Sequence, residues 1–330
     1  DPKAYQTTFE PHERGALLVA AVFSAFLSIY ETRSADLLRL ATGGTAVLPN
    51  GAIPPDLVNR LSDEAGKAAQ QVLTMCVRAL DYCPPVDLTF GDFLRALITA
   101  DADLVPDDDL GYRVAFIEAF RQRGLFPHDV RTMSVDSLRW RRSDHDELTP
   151  SPQLLGGLQT LRDRLPLEIV TGTREQIFHR SRDVRRAMHG WLEDHFAGRG
   201  RGRKDDPDAD FIGIDARRPF EVHSVRVAHR VGPDGDLLRQ IIVQIHQDAA
   251  DPDRRRGRRV GAAPIEGGST IVADLDRLAI DYCIRKRAHS ASRAAAQQAF
   301  ARRMAGGSLY DTYFRSAVER EPVARLHREI

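Results

Sequence analysis

The sequence feature that most constrains the fold is the stretch Phe9–Arg33, FEPHERGALLVAAVFSAFLSIYETR. A polar cluster opens it, and apolar or small residues then occupy nearly every position up to Tyr30. The length of this run and its four alanines favour a helix over a strand. Because no side of such a helix is polar, the pattern predicts a helix buried at the centre of a bundle. The polar ends and the short apolar run do not predict a membrane span.

Several motifs follow one another in the first third of the chain. The opening polar cluster consists of Glu10, His12, Glu13 and Arg14. After it come a second helix, a Pro-bounded entry into a third, a T-F-x-x-x-x-x-A-L motif ending at Leu97, and a last helix ending in A-F-R-x-R-G-L. In this order the chain resembles the all-helical C-terminal lobe of the thermolysin-like zinc metallopeptidases (gluzincins).

This resemblance implies a role for the polar cluster. His12 matches the family histidine that precedes a buried helix and donates a hydrogen bond to the tetrahedral intermediate. Glu10 or Glu13 would orient the imidazole and favour its protonated form, and we take His12 and Glu10 as the predicted catalytic residues. A histidine at a helix entrance is also typical of a purely structural residue, so both interpretations stay open.

The resemblance also implies a zinc cofactor in the intact protein, acting on a peptide or protein substrate. The HExxH motif and the downstream glutamate ligand of the family are absent from this sequence. We therefore predict no metal ligand in this chain and no peptidase activity of the chain alone, which would form the helical wall of the cleft. The sequence begins at Asp1-Pro2 rather than Met, and we expect an upstream catalytic lobe of the same protein as its partner.

Composition places the chain among globular proteins. Hydrophobic residues make up 42% and charged residues 28% of its 330 positions, enough for two domains with real cores. Three cysteines at no metal-binding spacing predict free thiols in a reducing compartment. With no signal peptide in view, we expect a cytoplasmic protein that does not enter a membrane.

Local signals divide the helical region further. Residues 34–42 are predicted as a separate short helix with Ser34 as its N-cap, and residues 56–80 as a long amphipathic helix. Thr89 is predicted to cap the next helix, with Asp92 at the capping-box position. In the acidic run between 101 and 109, the carboxylates of Asp101 and Asp103 could share a calcium ion. The preferred interpretation is negative charge at the start of a helix over 109–123.

The fold class predicted is α+β. An all-helical lobe over 1–126 is followed by a linker over 127–153 and a smaller α+β domain over 154–330 with a mainly antiparallel sheet. Residues 1–150 carry a net charge of −7 and the remainder +7, as two regions joined by a polar hinge would. Strands near 220–231 and 237–247 flank the turn Gly232–Gly235, which is a hairpin signal. Two more strands near 269–286 and a helix over 291–304 follow.

Two other classes of function remain as alternatives. The basic loops at 199–204 and 254–259 could neutralise nucleic-acid phosphates, although they lack interleaved aromatic residues and acidic residues follow the first loop at once. We therefore do not expect nucleic acid as a partner. A non-catalytic protein- or peptide-binding module built on the antiparallel sheet is the second alternative. No P-loop, GxSxG or dinucleotide fingerprint is present, and the histidines at 179, 189 and 195 have no ligand-like spacing.

Overall fold

The computed structural model describes residues 2–45, 47–48, 53–164, 172–198, 206–248, 266–287 and 290–304. Within it the chain divides into two compact units. The helical unit comprises residues 1–83 and 89–140, and the sheet unit comprises residues 84–88 and 141–330. This architecture is the predicted α+β class, with helices first and an antiparallel sheet after them.

The helical unit is built from four long helices and two short ones. They are α1 (Ala4–Thr7), α2 (Pro11–Ala41), α3 (Pro55–Ala79), α4 (Phe90–Ala102), α5 (Tyr112–Gln122) and α6 (Val135–Leu138). Helix α2 packs on α3 and α5, and α4 packs on α3. Side chains from all four long helices form the core, including Ile29, Met75, Leu97 and Phe116, each at most 1% exposed.

Capping signals in the sequence set where several of these helices begin. The predicted capping box at the start of α4 is present, with Thr89 and Asp92 each accepting the other's backbone N–H. Glu10 is the N-cap of α2 and accepts the backbone N–H of Glu13. Asp108 accepts the backbone N–H groups of Tyr112 and Arg113 at the start of α5. Each contact satisfies a donor that the first helical turn would otherwise leave unpaired.

The prediction of a separate helix over 34–42 is wrong. Helix α2 is continuous over 31 residues, from Pro11 to Ala41. Ser34 is buried inside it, and its hydroxyl donates to the carbonyl of Tyr30 at 2.7 Å. A serine can bond the preceding turn of its own helix as well as cap a new one, so the residue type alone could not distinguish the two.

The prediction that the apolar part of α2 is buried on every side is also wrong. Ala21, Ala25 and Ile29 are buried at 0–1% exposure. On the opposite side, Val19 is 67% exposed and Phe23 is 57% exposed. Helix α2 therefore lies at the surface of the helical unit, although its composition is that of a core helix.

The sheet unit contains four strands in the order β1-β2-β3-β4, each antiparallel to its neighbours. They are β1 (Glu221–Val231), β2 (Leu237–Asp248), β3 (Glu266–Asp274) and β4 (Ala279–Lys286). The predicted hairpin is confirmed, because Val231 pairs with Leu237 across the turn. The unit's helices are α7 (Pro152–Arg164), α8 (Arg174–Gly198), α9 (Pro207–Ile212) and α10 (Ala291–Met304).

One apolar cluster holds the sheet unit together. Alternate side chains of the strands, such as Ile241, Val243 and Ile271, join Leu192 of α8 and Phe211 of α9 in it. These five side chains are at most 4% exposed. One face of the sheet therefore lies against the helices, and β3 is buried along nearly its whole length.

The segment predicted as a linker, residues 127–153, contains ordered structure. Helix α6 lies in it, and Leu138 at the end of α6 is fully buried. The indole of Trp140 donates to the carbonyl of Tyr82 at 3.0 Å, which fixes this residue to the helical unit. A 3-10 turn at Ser143–His145 follows in the sheet unit, and the chain passes from one unit to the other between residues 140 and 141.

Candidate functional site

The two predicted catalytic residues lie together at the start of α2. The Nδ1 atom of His12 is 2.8 Å from Oε1 of Glu10. The second carboxylate oxygen of Glu10 accepts the backbone N–H of Glu13 at 2.7 Å. The hydrogen bond from His12, followed by the one from the Glu13 backbone, holds the pKa of Glu10 below its usual value. Glu10 thus stays ionised and serves both as a helix cap and as an anchor for the imidazole.

This geometry leaves one edge of the imidazole accessible. The His12 side chain is 52% exposed and that of Glu10 is 39% exposed. In the described part of the chain, no hydrogen-bond partner is recorded for Nε2 of His12. Chemically, the pair can donate or accept one proton or one hydrogen bond at Nε2, with Glu10 fixing the ring through Nδ1.

The described residues contain no metal site. Nowhere among them do three His, Cys, Asp or Glu side chains come together closely enough to hold an ion. The cysteines are free thiols. Burial raises the pKa of Cys76 to about 11 and those of Cys83 and Cys283 to about 12. These thiols are protonated at neutral pH and are not activated as nucleophiles.

The acidic residues weighed as a calcium site are engaged in other contacts. Asp101 is 4% exposed at its side chain and lies 3.0 Å from the guanidinium of Arg113, which is 5% exposed. Asp103 accepts the hydroxyl of Tyr82 at 2.9 Å, and Asp108 caps α5. Burial raises the pKa of Asp101 to about 6, against the opposing effect of Arg113. These contacts explain the acidic run without an ion.

The most distinctive surface of the helical unit is the exposed side of α2. We name it the outer stripe, and it consists of Ala16, Val19, Phe23, Phe26, Leu27 and Tyr30. At 100° per residue these positions lie within about 60° of Phe23 around the helix. The rings of Phe23 and Phe26 are 5.7 Å apart, and those of Phe26 and Tyr30 are 6.4 Å apart and stacked. His12 lies on the same side, one turn before Ala16.

No charged residue interrupts α2 between Gly15 and Tyr30. By length and composition α2 could cross a membrane, and only 17% of its most apolar window is buried in the protein. Core helices and signal sequences meet the same criterion, so the match is weak evidence. The uncharged stretch is about 24 Å long at 1.5 Å per residue, short of a hydrocarbon core of ~30 Å.

A buried polar cluster in the sheet unit was not predicted. Asp208, at the start of α9, has no exposed side-chain surface and lies 2.8 Å from Nε2 of His195 in α8. The same carboxylate accepts the backbone N–H of Ser151 at 2.8 Å and its hydroxyl at 2.6 Å. The aspartate lies between serine and histidine, which differs from a Ser-His-Asp triad, where the histidine lies between the other two. The cluster joins the ends of three helices.

Sequence reasoning could not find this cluster. Ser151 and His195 are 57 and 13 positions from Asp208 in the chain, and no local motif links them. Of the histidines at 179, 189 and 195, only the last is buried. The basic loops at 199–204 and 254–259 lie outside the described residues.

Comparison with known proteins yields no relative for this chain. No family model matches it, and no curated protein or solved structure does so. The residues themselves are therefore the basis for any functional conclusion.

Proposed function

We propose that this chain is a non-catalytic protein-binding module that binds its partner through the outer stripe of α2. The exposure of this stripe carries the proposal. Val19, Phe23 and Leu27 are 67%, 57% and 41% exposed and follow one another at helical spacing. A contiguous apolar surface of this kind marks interaction sites on folded proteins, whereas single exposed apolar residues are ordinary.

The chemistry of the stripe selects the class of partner. A helix that offers an apolar, uncharged face at i, i+4 and i+8 fits an apolar helix or groove of another protein. Residues 1–150, which contain the stripe, have a net charge of −7. This charge opposes binding to anionic lipid and to nucleic-acid phosphates. A protein surface is thus the partner that both the apolar face and the charge permit.

Photo-crosslinking in cells tests this function. Benzoylphenylalanine replacing Phe23 should give discrete crosslinked protein species. Adding Val19→Asp should remove them, because a charge in the stripe disfavours apolar contact. The control carries the same probe at Asp36, an exposed position of α2 outside the stripe with 78% side-chain exposure. Equal crosslinking from positions 23 and 36, or none from either, would contradict the proposal.

A second candidate function is the one implied by the family resemblance. In it the chain forms the C-terminal part of a zinc metallopeptidase, and His12 donates a hydrogen bond to the transition state. The 2.8 Å contact between His12 Nδ1 and Glu10 favours this candidate, because it orients the ring and leaves Nε2 toward solvent. The residues that the structure describes bring no set of zinc ligands together, so they support the donor role only.

The test of this candidate uses the full-length protein, if an upstream lobe carries HExxH. His12→Ala should then lower kcat and kcat/KM together by ~10²–10³-fold with zinc content unchanged. Unchanged turnover per folded molecule would show that His12 has only a structural role at the start of α2. Loss of zinc would show that His12 is a ligand and that the alignment to the family is wrong.

A further inference from the structure

We propose that the partner bound by the outer stripe is a second copy of this chain. The two α2 helices would pair antiparallel about a twofold axis at Phe23. This inference rests on the protein-binding function proposed above and names its partner. It depends on how the residue sizes are arranged along the stripe, and the charges at its two ends provide a test of orientation.

The stripe is self-complementary only when it is reversed. In an antiparallel pair centred on Phe23, residue k lies level with residue 46 − k of the second copy. Ala16 then lies level with Tyr30, and Val19 lies level with Leu27. Small side chains in the first half of the stripe meet large ones in the second half, so the helices can approach evenly. A twofold interface requires such a match of one surface with itself.

A parallel pair would not match in this way. It would place Ala16 against Ala16 and Tyr30 against Tyr30. The helices would be in contact at one end and held apart at the other, leaving unfilled space next to the alanines. Close packing at the centre of an interface approaches that of protein interiors, so the size gradient favours the antiparallel pair.

The size of the stripe sets the expected strength of association. The three most exposed side chains, Val19, Phe23 and Leu27, are between 41% and 67% exposed. Each would bury on the order of 100 Å², since large side chains bury ~150–250 Å² in full. The sum lies well below the ~800 Å² per partner of a standard interface. We therefore expect a weak, reversible dimer.

The charges at the two ends of the stripe weaken this dimer and reveal its orientation. Glu13 and Glu31 both lie about 80° from Phe23 on the same flank of α2. Antiparallel pairing brings Glu31 of one copy within about one turn of Glu13 of the other, since residue 31 lies level with residue 15. These like charges repel, and exchanging one for a lysine would turn repulsion into attraction.

Sedimentation equilibrium from 1 to 300 µM tests the proposal. The wild-type chain should pass from monomer to dimer, and Phe23→Asp should remain monomeric throughout. The matched control is Phe126→Asp, since Phe126 is 55% exposed against 57% for Phe23 but lies outside α2. The control should dimerise as the wild type does. Circular dichroism and melting temperature verify that each variant is folded.

The second variant tests orientation. Glu31→Lys should tighten the dimer by about three- to tenfold at low ionic strength, and the gain should shrink in high salt. A parallel pair would place position 31 of the two copies on opposite sides of the interface, far from Glu13, and show no gain, which would overturn the antiparallel arrangement.

The outcomes separate this inference from the function on which it rests. A wild-type chain that stays monomeric at 300 µM would overturn self-association. If Phe23 crosslinks still form a discrete species with another protein, the binding function stands with a different partner. If no crosslinks form either, both proposals fail. A dimer that survives Phe23→Asp would place the interface elsewhere and overturn the inference.

Discussion

The helical unit exposes more of its large apolar side chains than the sheet unit does. Of the large hydrophobic side chains that are exposed among the described residues, fourteen belong to the helical unit and four to the sheet unit. In the sheet unit one cluster collects the apolar side of the sheet and its helices. In the helical unit, α2 has apolar residues on both sides but packs only one of them. The sheet unit therefore buries one apolar face of its sheet under its own helices, and the helical unit leaves the apolar side of α2 exposed.

The largest loss of stability is expected from a substitution in the core of the sheet unit. Ile241 has no exposed surface, so Ile241→Ala should lower the free energy of unfolding by about 2–5 kcal/mol through lost burial and a cavity. The control is Leu237→Ala in the same strand. Because Leu237 is 60% exposed, this substitution should change the free energy of unfolding by less than ~0.5 kcal/mol. Urea unfolding of both variants measures the difference. Equal losses of unfolding free energy would contradict the burial of Ile241 in the core of the sheet unit.

The next effect concerns the buried ion pair of the helical unit. The folded-state pKa of Asp101 is about 6, above its ordinary value of 3.8, so the folded protein binds this proton more tightly than the unfolded chain. The stability contributed by proton binding at Asp101 is present below about pH 4 and is lost as the pH rises through about 6. This loss should be roughly 3 kcal/mol at most.

Unfolding free energies measured from pH 4 to 8 test this sign. The Asp101→Asn variant should lack this loss of stability with rising pH. The Asp109→Asn variant, changed at an exposed position, should retain it. If Arg113 outweighed burial, the pKa of Asp101 would fall below 3.8. The wild-type protein would then lose this contribution on acidification instead.

The smallest effects are expected when alanine is replaced by leucine on each of the two sides of α2. Ala25 is fully buried, so Ala25→Leu should overpack the bundle and lower the free energy of unfolding by about 1–3 kcal/mol. Ala16 is exposed on the outer stripe, and Ala16→Leu should change that free energy of the monomer by less than ~0.5 kcal/mol. Both variants are measured below 1 µM to avoid dimer formation. A large loss from Ala16→Leu would mean that the stripe packs inside the unit.

The sequence alone determined most of the secondary structure, because its signals are local. Period-2 runs and the turn at Gly232–Gly235 predicted the first hairpin, and Thr89 with Asp92 predicted the start of α4. The order of helices before an antiparallel sheet followed from these patterns. The pairing of His12 with Glu10 was also open to prediction, because the two residues are neighbours in one helix start.

Only the tertiary structure decided which side of α2 faces solvent and which buried groups meet. A helix that is apolar all round has no hydrophobic direction, so its sequence does not select the side that packs on α3 and α5. The contacts of Asp208 with Ser151 and His195, and of Asp101 with Arg113, join residues 12 or more positions apart. Their meeting depends on how helices pack, and burial then raises the pKa of Asp101. Propensity and periodicity describe single elements, whereas exposure and buried polar contacts depend on pairs of elements.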